Sequence, residues 1–227
     1  MKSYILIFGS QGNLGKGITK ILTEKEFTKV YLFNRHFSRV KSSNNKIVQI
    51  KVNDLTNEDN VISSFRRVKI ERSAEYHLIS TVGMYMGGQT ITDMKYEDWL
   101  KVHSTNLNIS FLIAKHFSKL VKNVKGGSIW FISAVTSLNP EVEKAAYGSS
   151  KNSLNYLVKS LALEGKKINL SSNAIAPFII DTKQNREWIT DKTLMVSPKS
   201  IGILLYSLIK NYKILSGNIF ELPGTFI

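Results

Sequence analysis

The chain has 227 residues, 43% of them hydrophobic, which suits one compact domain with one core. The absence of cysteine excludes a disulfide framework and a thiolate metal site; no apolar run is long enough for a membrane span, and the first residues do not form a signal peptide, so a cytoplasmic protein is expected. A formal charge of +14 suits anionic ligands, among them nucleotides and acidic carrier proteins, but the basic residues are scattered at helical spacings without interleaved aromatics, which speaks against nucleic acid.

Taken in chain order, an apolar run at 4–8 predicts a strand, and 14–24 has helical spacing. Strands follow at 30–33 and 47–52, then a helix at 58–68 and a strand at 76–81. Residues 96–121 form one long helical stretch, and 128–133 is a fifth strand. A helix over 145–164, a strand over 172–176, a helix over 200–210 and a last strand over 218–222 complete the pattern. The βαβ rhythm with continuously apolar strands is that of a parallel sheet covered on both faces. No internal repeat or linker marks a second domain, and Gly126-Gly127 and Pro223-Gly224 are the strong turn signals. One domain over 1–227 is expected, with a cofactor half over about 1–125 and a catalytic and substrate half over about 126–227.

Three stretches carry chemistry. Gly9-Ser10-Gln11-Gly12-Asn13-Leu14-Gly15 follows the first strand and opens the first helix. In that setting the glycines permit a tight turn, close approach of a pyrophosphate, and close packing of helix on strand, while the helix N-terminus offers unpaired N–H groups. At the end of the second strand, Asn34-Arg35 stands where a carboxylate would hold the ribose hydroxyls of NAD. Arg35 suits the 2′-phosphate of NADP instead, with Arg39 and Lys41 as helpers, so NADP is favoured over NAD. Asp54 either accepts from an adenine amino group or begins the turn before Asn57 and Glu58. Tyr147 and Lys151, four apart on a helix, share one face about 6 Å apart along the axis. A neighbouring ammonium would lower the phenol pKa toward the working pH of a proton donor.

These stretches, with Asn106 in Ser104-Thr105-Asn106-Leu107 and Ala176-Pro177 followed by Thr182, resemble the short-chain dehydrogenase/reductase family over nearly the whole chain. The resemblance implies a Rossmann fold of about seven strands and a nicotinamide cofactor. It implies Tyr147 as acid/base, Lys151 orienting the nicotinamide ribose, Asn106 holding a water of the proton relay, and Thr182 at the carboxamide. Carried over in the same way, the cofactor contacts are Gly9, Gln11, Gly12, Asn13, Leu14, Gly15, Asn34, Arg35, Asp54, Leu55, Thr81, Val82, Gly83, Tyr147, Lys151, Pro177, Ile179 and Thr182. The helices at 109–121 and 147–163 would supply the usual surface for a homodimer or homotetramer.

The departures are as informative. Ser80-Thr81-Val82-Gly83 stands where the family has Asn-Asn-Ala-Gly, and Phe178 follows Pro177 where a glycine is usual. The family serine falls at Ala134, and Ser133 is one residue off, which at a strand end turns a side chain to the opposite face. The quinonoid dihydropteridine reductase branch is similar in these features, in Gly83-Met84-Tyr85-Met86-Gly87-Gly88, and in Asp181-Thr182 followed by Asn185-Arg186. A quinonoid imine is already electrophilic and needs less polarisation than a ketone. The expected function is therefore an NADP-dependent reductase of a small quinonoid, imine or carbonyl acceptor. The alternatives are a 3-oxoacyl or carbonyl reductase in which Ser133 or Thr136 replaces the lost donor, and a non-catalytic NADP-binding sensor. His36, His77, His103 and His116 lack ligand spacing, so no metal site is expected.

Overall fold

The computed structural model describes residues 2–37 and 45–225. Arg39 and Lys41, expected beside a 2′-phosphate, lie outside the described residues. Seven parallel strands form one sheet: β1 (Ser3–Phe8), β2 (Lys29–Asn34), β3 (Ile47–Lys51), β4 (Glu75–Ser80), β5 (Gly126–Ile132), β6 (Leu170–Pro177) and, numbered in chain order after two short strands, β9 (Ile219–Leu222). The order across the sheet is β3-β2-β1-β4-β5-β6-β9, with every neighbouring pair parallel. This is the covered parallel sheet expected from the apolar runs, in the doubly wound Rossmann arrangement that the resemblance implies.

Strands β4, β5 and β6 are buried along their full length, as they must be with helices on both faces. On one face, α1 (Asn13–Thr23) and α6 (Pro198–Lys210) bury Leu14, Ile18, Leu22, Ile201, Leu205 and Ile209 against Ile5, Ile7 and Trp130. On the other, α2 (Glu58–Arg66), α4 (Ile109–Val121) and α5 (Ala145–Gly165) cover Leu6, Phe8, Leu78 and Phe131. α2 starts where Asn57 accepts the backbone N–H of Asp59 at 2.8 Å, an N-cap reinforced by the acidic Glu58 and Asp59 in the first turn.

The stretch predicted as one helix over 96–121 is continuous but not uniform. α3 (Tyr96–His103) passes through a π-helical turn, Ser104–Asn108, before α4. Such turns are single inserted residues in an α-helix and cluster at functional sites. Beyond β6, two two-residue strands pair in parallel, β7 (Ile179–Ile180) with β8 (Met195–Val196). The crossover between the two halves of the sheet lies between β1 and β4, so the carboxyl ends of these strands open the crevice where ligands of this architecture bind.

Candidate active site

The turn after β1 is pinned from two sides. Gly9 has φ 79°, in the left-handed region, and a Cβ there would come within 2.6 Å of Thr81 Oγ1. The Thr81 hydroxyl faces the carbonyls of Phe8 and Gly9 at 3.0 and 3.1 Å, tying β4 to this turn. At Gly15 a Cβ would be 2.1 Å from the Gly9 carbonyl oxygen, so glycine alone lets α1 seat on the turn. Gly12 is the N-cap of α1, with no side-chain cap and no acidic residue in the first turn. The helix therefore presents its first N–H groups and positive end uncompensated by a carboxylate. Gln11 and Asn13 border the turn, whereas the Leu14 side chain belongs to the core. Ser10 Oγ is fully buried and has no hydrogen-bond partner among the described residues. An uncapped helix end, a side-chain-free approach and an orphaned hydroxyl fit the pyrophosphate of a dinucleotide.

Beside this turn a cleft of about 510 Å³ is lined by Arg35, His36, Lys51, Val52, Asn53 and Asp54. Asn34 is turned back, its Nδ2 donating to the His36 carbonyl at 2.5 Å. Asp54 accepts from the Thr56 backbone N–H at 2.9 Å and from its hydroxyl at 2.7 Å. Those two bonds hold the carboxyl below its usual pKa, with Arg35 adding to the effect. Of the two roles open to Asp54, the turn role is thus filled, and the same side chain also lines the cleft. Leu55 is a core residue, 5% exposed.

The residues expected to transfer a proton meet at the ends of β4 and β5. The π-helical turn buries Asn106 completely. Its Oδ1 accepts from the Met84 N–H at 2.8 Å, and its Nδ2 donates to the Met84 carbonyl and to Ser150 Oγ, both at 3.0 Å. Ser150 in turn donates to the Tyr147 carbonyl at 2.8 Å. Lys151 Nζ, 5.9 Å from the Tyr147 ring centroid, donates to the Ile132 carbonyl at 2.7 Å. Gly83 closes the cluster: a Cβ there would stand 3.0 Å from Asn106 Oδ1 and 3.1 Å from Lys151 Nζ. Thr81, Val82 and Gly83 therefore lie between the Gly9 to Gly15 turn and the Tyr147–Lys151 helix.

One electrostatic expectation is corrected. Burial pushes the Tyr147 phenol well above its ordinary pKa, and Tyr85 and Glu141 add to the rise. Burial also lowers the Lys151 ammonium to about 8. The lysine does not depress the tyrosine here, because desolvation penalises both charged forms and the ammonium is directed at the Ile132 carbonyl. Burial thus disfavours the tyrosinate form of Tyr147.

Ser133 gives its hydroxyl hydrogen to Asn155 Oδ1 at 2.6 Å, about two turns along α5 from Tyr147, and lies 3.1 Å from Ser137 Oγ. Its neighbour Ala134 brings a methyl group to the position where a family serine would stand. Thr136 is also engaged, its hydroxyl 2.5 Å from Glu141 Oε1. Tyr85 packs edge-on against Tyr147, with ring centroids 5.0 Å apart, and is 62% exposed.

At the end of β6, Pro177 is buried, and the Phe178 N–H donates to the Leu222 carbonyl at 2.9 Å. Ile179 is held by pairing with Met195. Thr182 Oγ1 accepts the Asn185 N–H at 3.1 Å, and Asp181 grips Arg186 through two bonds of 2.5 and 2.7 Å. The Ile132 carbonyl, the Met84 main chain and Ser150 escaped sequence reading. Main-chain atoms leave no residue-type signal, while Ser150 was recoverable from its place three residues after Tyr147.

The short chain dehydrogenase family profile matches residues 3–193. Carbonyl reductase family member 4 of Xenopus laevis is 24% identical over 200 residues, 87% of this chain and 84% of its own. A tropinone reductase homolog of Arabidopsis thaliana is 35% identical over 105 residues, which span 46% of this chain and 39% of the relative. Galactitol 2-dehydrogenase of Rhizobium johnstonii is 26% identical over 169 residues, covering 68% and 66%. Among solved structures, ElxO with NADP bound superposes with a TM-score of 0.82 at 21% identity, covering 97% of both chains. A short-chain type dehydrogenase/reductase from Mycobacterium ulcerans gives 0.83 at 18%, covering 97% and 88%.

Proposed function

Because the chain belongs to the short chain dehydrogenase family, we propose that this NAD(P)-dependent oxidoreductase is an NADP-dependent reductase of a small activated acceptor, quinonoid, imine or carbonyl. The observation that carries the activated-acceptor reading is the end of β5, where Ala134 offers no donor and the Ser133 hydrogen is committed to Asn155. An acceptor that is already electrophilic tolerates that loss better than a simple ketone.

Arg35 supports NADP over NAD, since its guanidinium lines the cleft beside the phosphate turn and no carboxylate occupies the Asn34-Arg35 step. ElxO, a structural neighbour, was solved with NADP and, as a tyrosine-to-phenylalanine variant, with NADPH. The residues that would hold the cofactor are the Gly9 to Gly15 turn for the pyrophosphate, Arg35 for the 2′-phosphate, and Thr81 to Gly83, Lys151, Pro177, Ile179 and Thr182 for the nicotinamide half. NADPH bound there supplies the hydride. Tyr147 would donate its phenolic hydrogen to the acceptor heteroatom. Asn106, locked by Met84 and Ser150, borders the path by which that proton is restored. Lys151, anchored on Ile132, would orient the nicotinamide ribose. The exposed Phe111 of α4 and Tyr156 and Leu163 of α5 support pairing through these helices into a homo-oligomer.

The testing experiment measures NADPH and NADH affinity by fluorescence titration, then NADPH oxidation with quinonoid dihydropterin, a quinone and a simple ketone. Turnover of the activated acceptors above the ketone is expected. Faster ketone reduction, or no oxidation with any acceptor despite NADPH binding, would overturn the reading.

A further inference from the structure

At the opposite end of the sheet from the crevice, near the amino ends of β1 and β4, a cavity of about 480 Å³ opens between the sheet and α6. Its wall includes Glu75, the first residue of β4, which is only 6% exposed. A central-strand position is an unfavourable place for a carboxylate unless something answers its charge. Glu75 Oε1 accepts no hydrogen bond among the described residues, although the same carboxylate takes one from the Tyr212 phenol. The nearest cation is Lys213, with Nζ 3.3 Å from Oε1, longer than a charge-assisted hydrogen bond, on a side chain 64% exposed.

The remaining walls are mixed, with Ser3, Glu26, Ile209 and Lys210 beside four aromatic rings. Phe27 meets Tyr206 edge-on with centroids 6.0 Å apart, and His77 meets Tyr212 edge-on at 5.0 Å. Burial holds the His77 imidazole at a pKa of about 4, so it is neutral at physiological pH and does not repel a cation. Lys213 Nζ already sits 5.9 Å from the Tyr212 ring centroid while approaching Glu75. An ammonium is thus seen between an aromatic face and a buried carboxylate, the two elements by which proteins recognise amines.

We propose that this cavity is a binding site for a primary amine carrying an aromatic body, its ammonium displacing Lys213 from Glu75 and its ring packing among Phe27, Tyr206 and Tyr212. The site is separate from the crevice and does not depend on the reductase reading. Because Lys213 is an exposed surface side chain holding the carboxylate at long range, it competes with the ligand rather than binding it. This sets the proposal apart from an anion site, in which Lys213 would be the ligand.

The test titrates the full chain with phenethylamine and with its neutral analogue 2-phenylethanol at physiological salt, by calorimetry and by amide chemical shifts, with and without saturating NADPH. Saturable amine binding is expected, with shifts around Glu75 and His77 that NADPH leaves in place, and affinity for the alcohol lower by about tenfold or more. Glu75→Gln should weaken the amine by about tenfold, and Lys213→Ala should tighten it by about threefold or more. Should Glu75→Gln fail to fold, the surface variant Lys213→Ala decides alone. Absence of saturation in both parent and Lys213→Ala, equal binding of the alcohol, weakening or no change in Lys213→Ala, or displacement by NADPH would each overturn the proposal.

Discussion

Lys151 donates to the carbonyl oxygen of Ile132 across 2.7 Å, fixing the first third of α5 onto the last residue of β5. The ammonium is thereby committed to one geometry, with its charge disfavoured by burial and its position set by a main-chain atom. Tyr147 lies one turn earlier on the same helix.

The first prediction separates proton donation from cofactor binding. Tyr147→Phe should leave NADPH affinity within about twofold and lower turnover by about 10²–10⁴-fold, the usual worth of a general acid. Lys151→Ala should impair both, because it removes the cation beside the crevice and the anchor on Ile132. A steady-state rate that survives Tyr147→Phe would assign the proton to another group.

Cofactor choice gives the second. Arg35→Ala should reduce NADPH affinity by roughly ten- to hundred-fold, the range of a hydrogen bond to a charged group, while NADH affinity stays unchanged. Arg35→Asp should go further and favour NADH, since a carboxylate repels the 2′-phosphate and accepts from ribose hydroxyls. Equal affinity of the parent for both cofactors, measured by titration, would remove the role given to Arg35.

The main sheet was legible because its strands carry apolar runs, unbroken over 4–8 in β1, 30–33 in β2 and 129–132 in β5. The β7–β8 pair was not, since two residues show no periodicity. The π-helical turn at Ser104–Asn108 was hidden in the same way, because one inserted residue scarcely disturbs the apolar spacing of a long helix. At the site, residue type and spacing marked Gly9, Tyr147, Lys151 and Asn106. The direction of the Ser133 hydroxyl and the acceptor of Lys151 depend on strand pleat and main-chain position, and on Asn155, whose amide carries no distinctive signal. The rise in the Tyr147 pKa had the opposite sign to the expectation because charge spacing is readable in sequence and depth of burial is not.

The third prediction concerns acid stability. Burial lowers the His77 pKa from 6.5 to about 4 in the folded chain, partly offset by Glu75 and reinforced by Lys210. Between those values the unfolded chain binds a proton that the folded chain does not, so stability is lost as pH falls from 6.5 toward 4. The contribution amounts to roughly 3 kcal/mol over that window. His77→Phe, which cannot titrate, should flatten this slope in urea unfolding series at several pH values, whatever its effect at neutral pH. An unchanged slope would show that His77 is protonated in the folded chain.

The last prediction turns on the one-residue offset between Ser133 and Ala134. With Ser133 bonded to Asn155 at 2.6 Å, the parent has Tyr147 as its proposed donor at the reacting heteroatom and no serine beside it. Ser133→Ala should therefore cost stability, by about 1 kcal/mol for a lost buried hydrogen bond, and leave NADPH affinity and turnover of an activated acceptor nearly unchanged. Ala134→Ser places a hydroxyl where negative charge develops on a ketone oxygen. A well-supported donor of this kind is worth about 2.7–4 kcal/mol, and a grafted one without supporting contacts should give less, so ketone kcat/KM should rise while the rate with a quinonoid acceptor moves little. The ratio of the two rates, measured on parent and variant, is the deciding quantity. Should Ser133→Ala instead abolish ketone and quinonoid reduction with folding and NADPH binding intact, its hydroxyl must leave Asn155 when substrate enters, and the chain would be an ordinary carbonyl reductase with its serine displaced by one position.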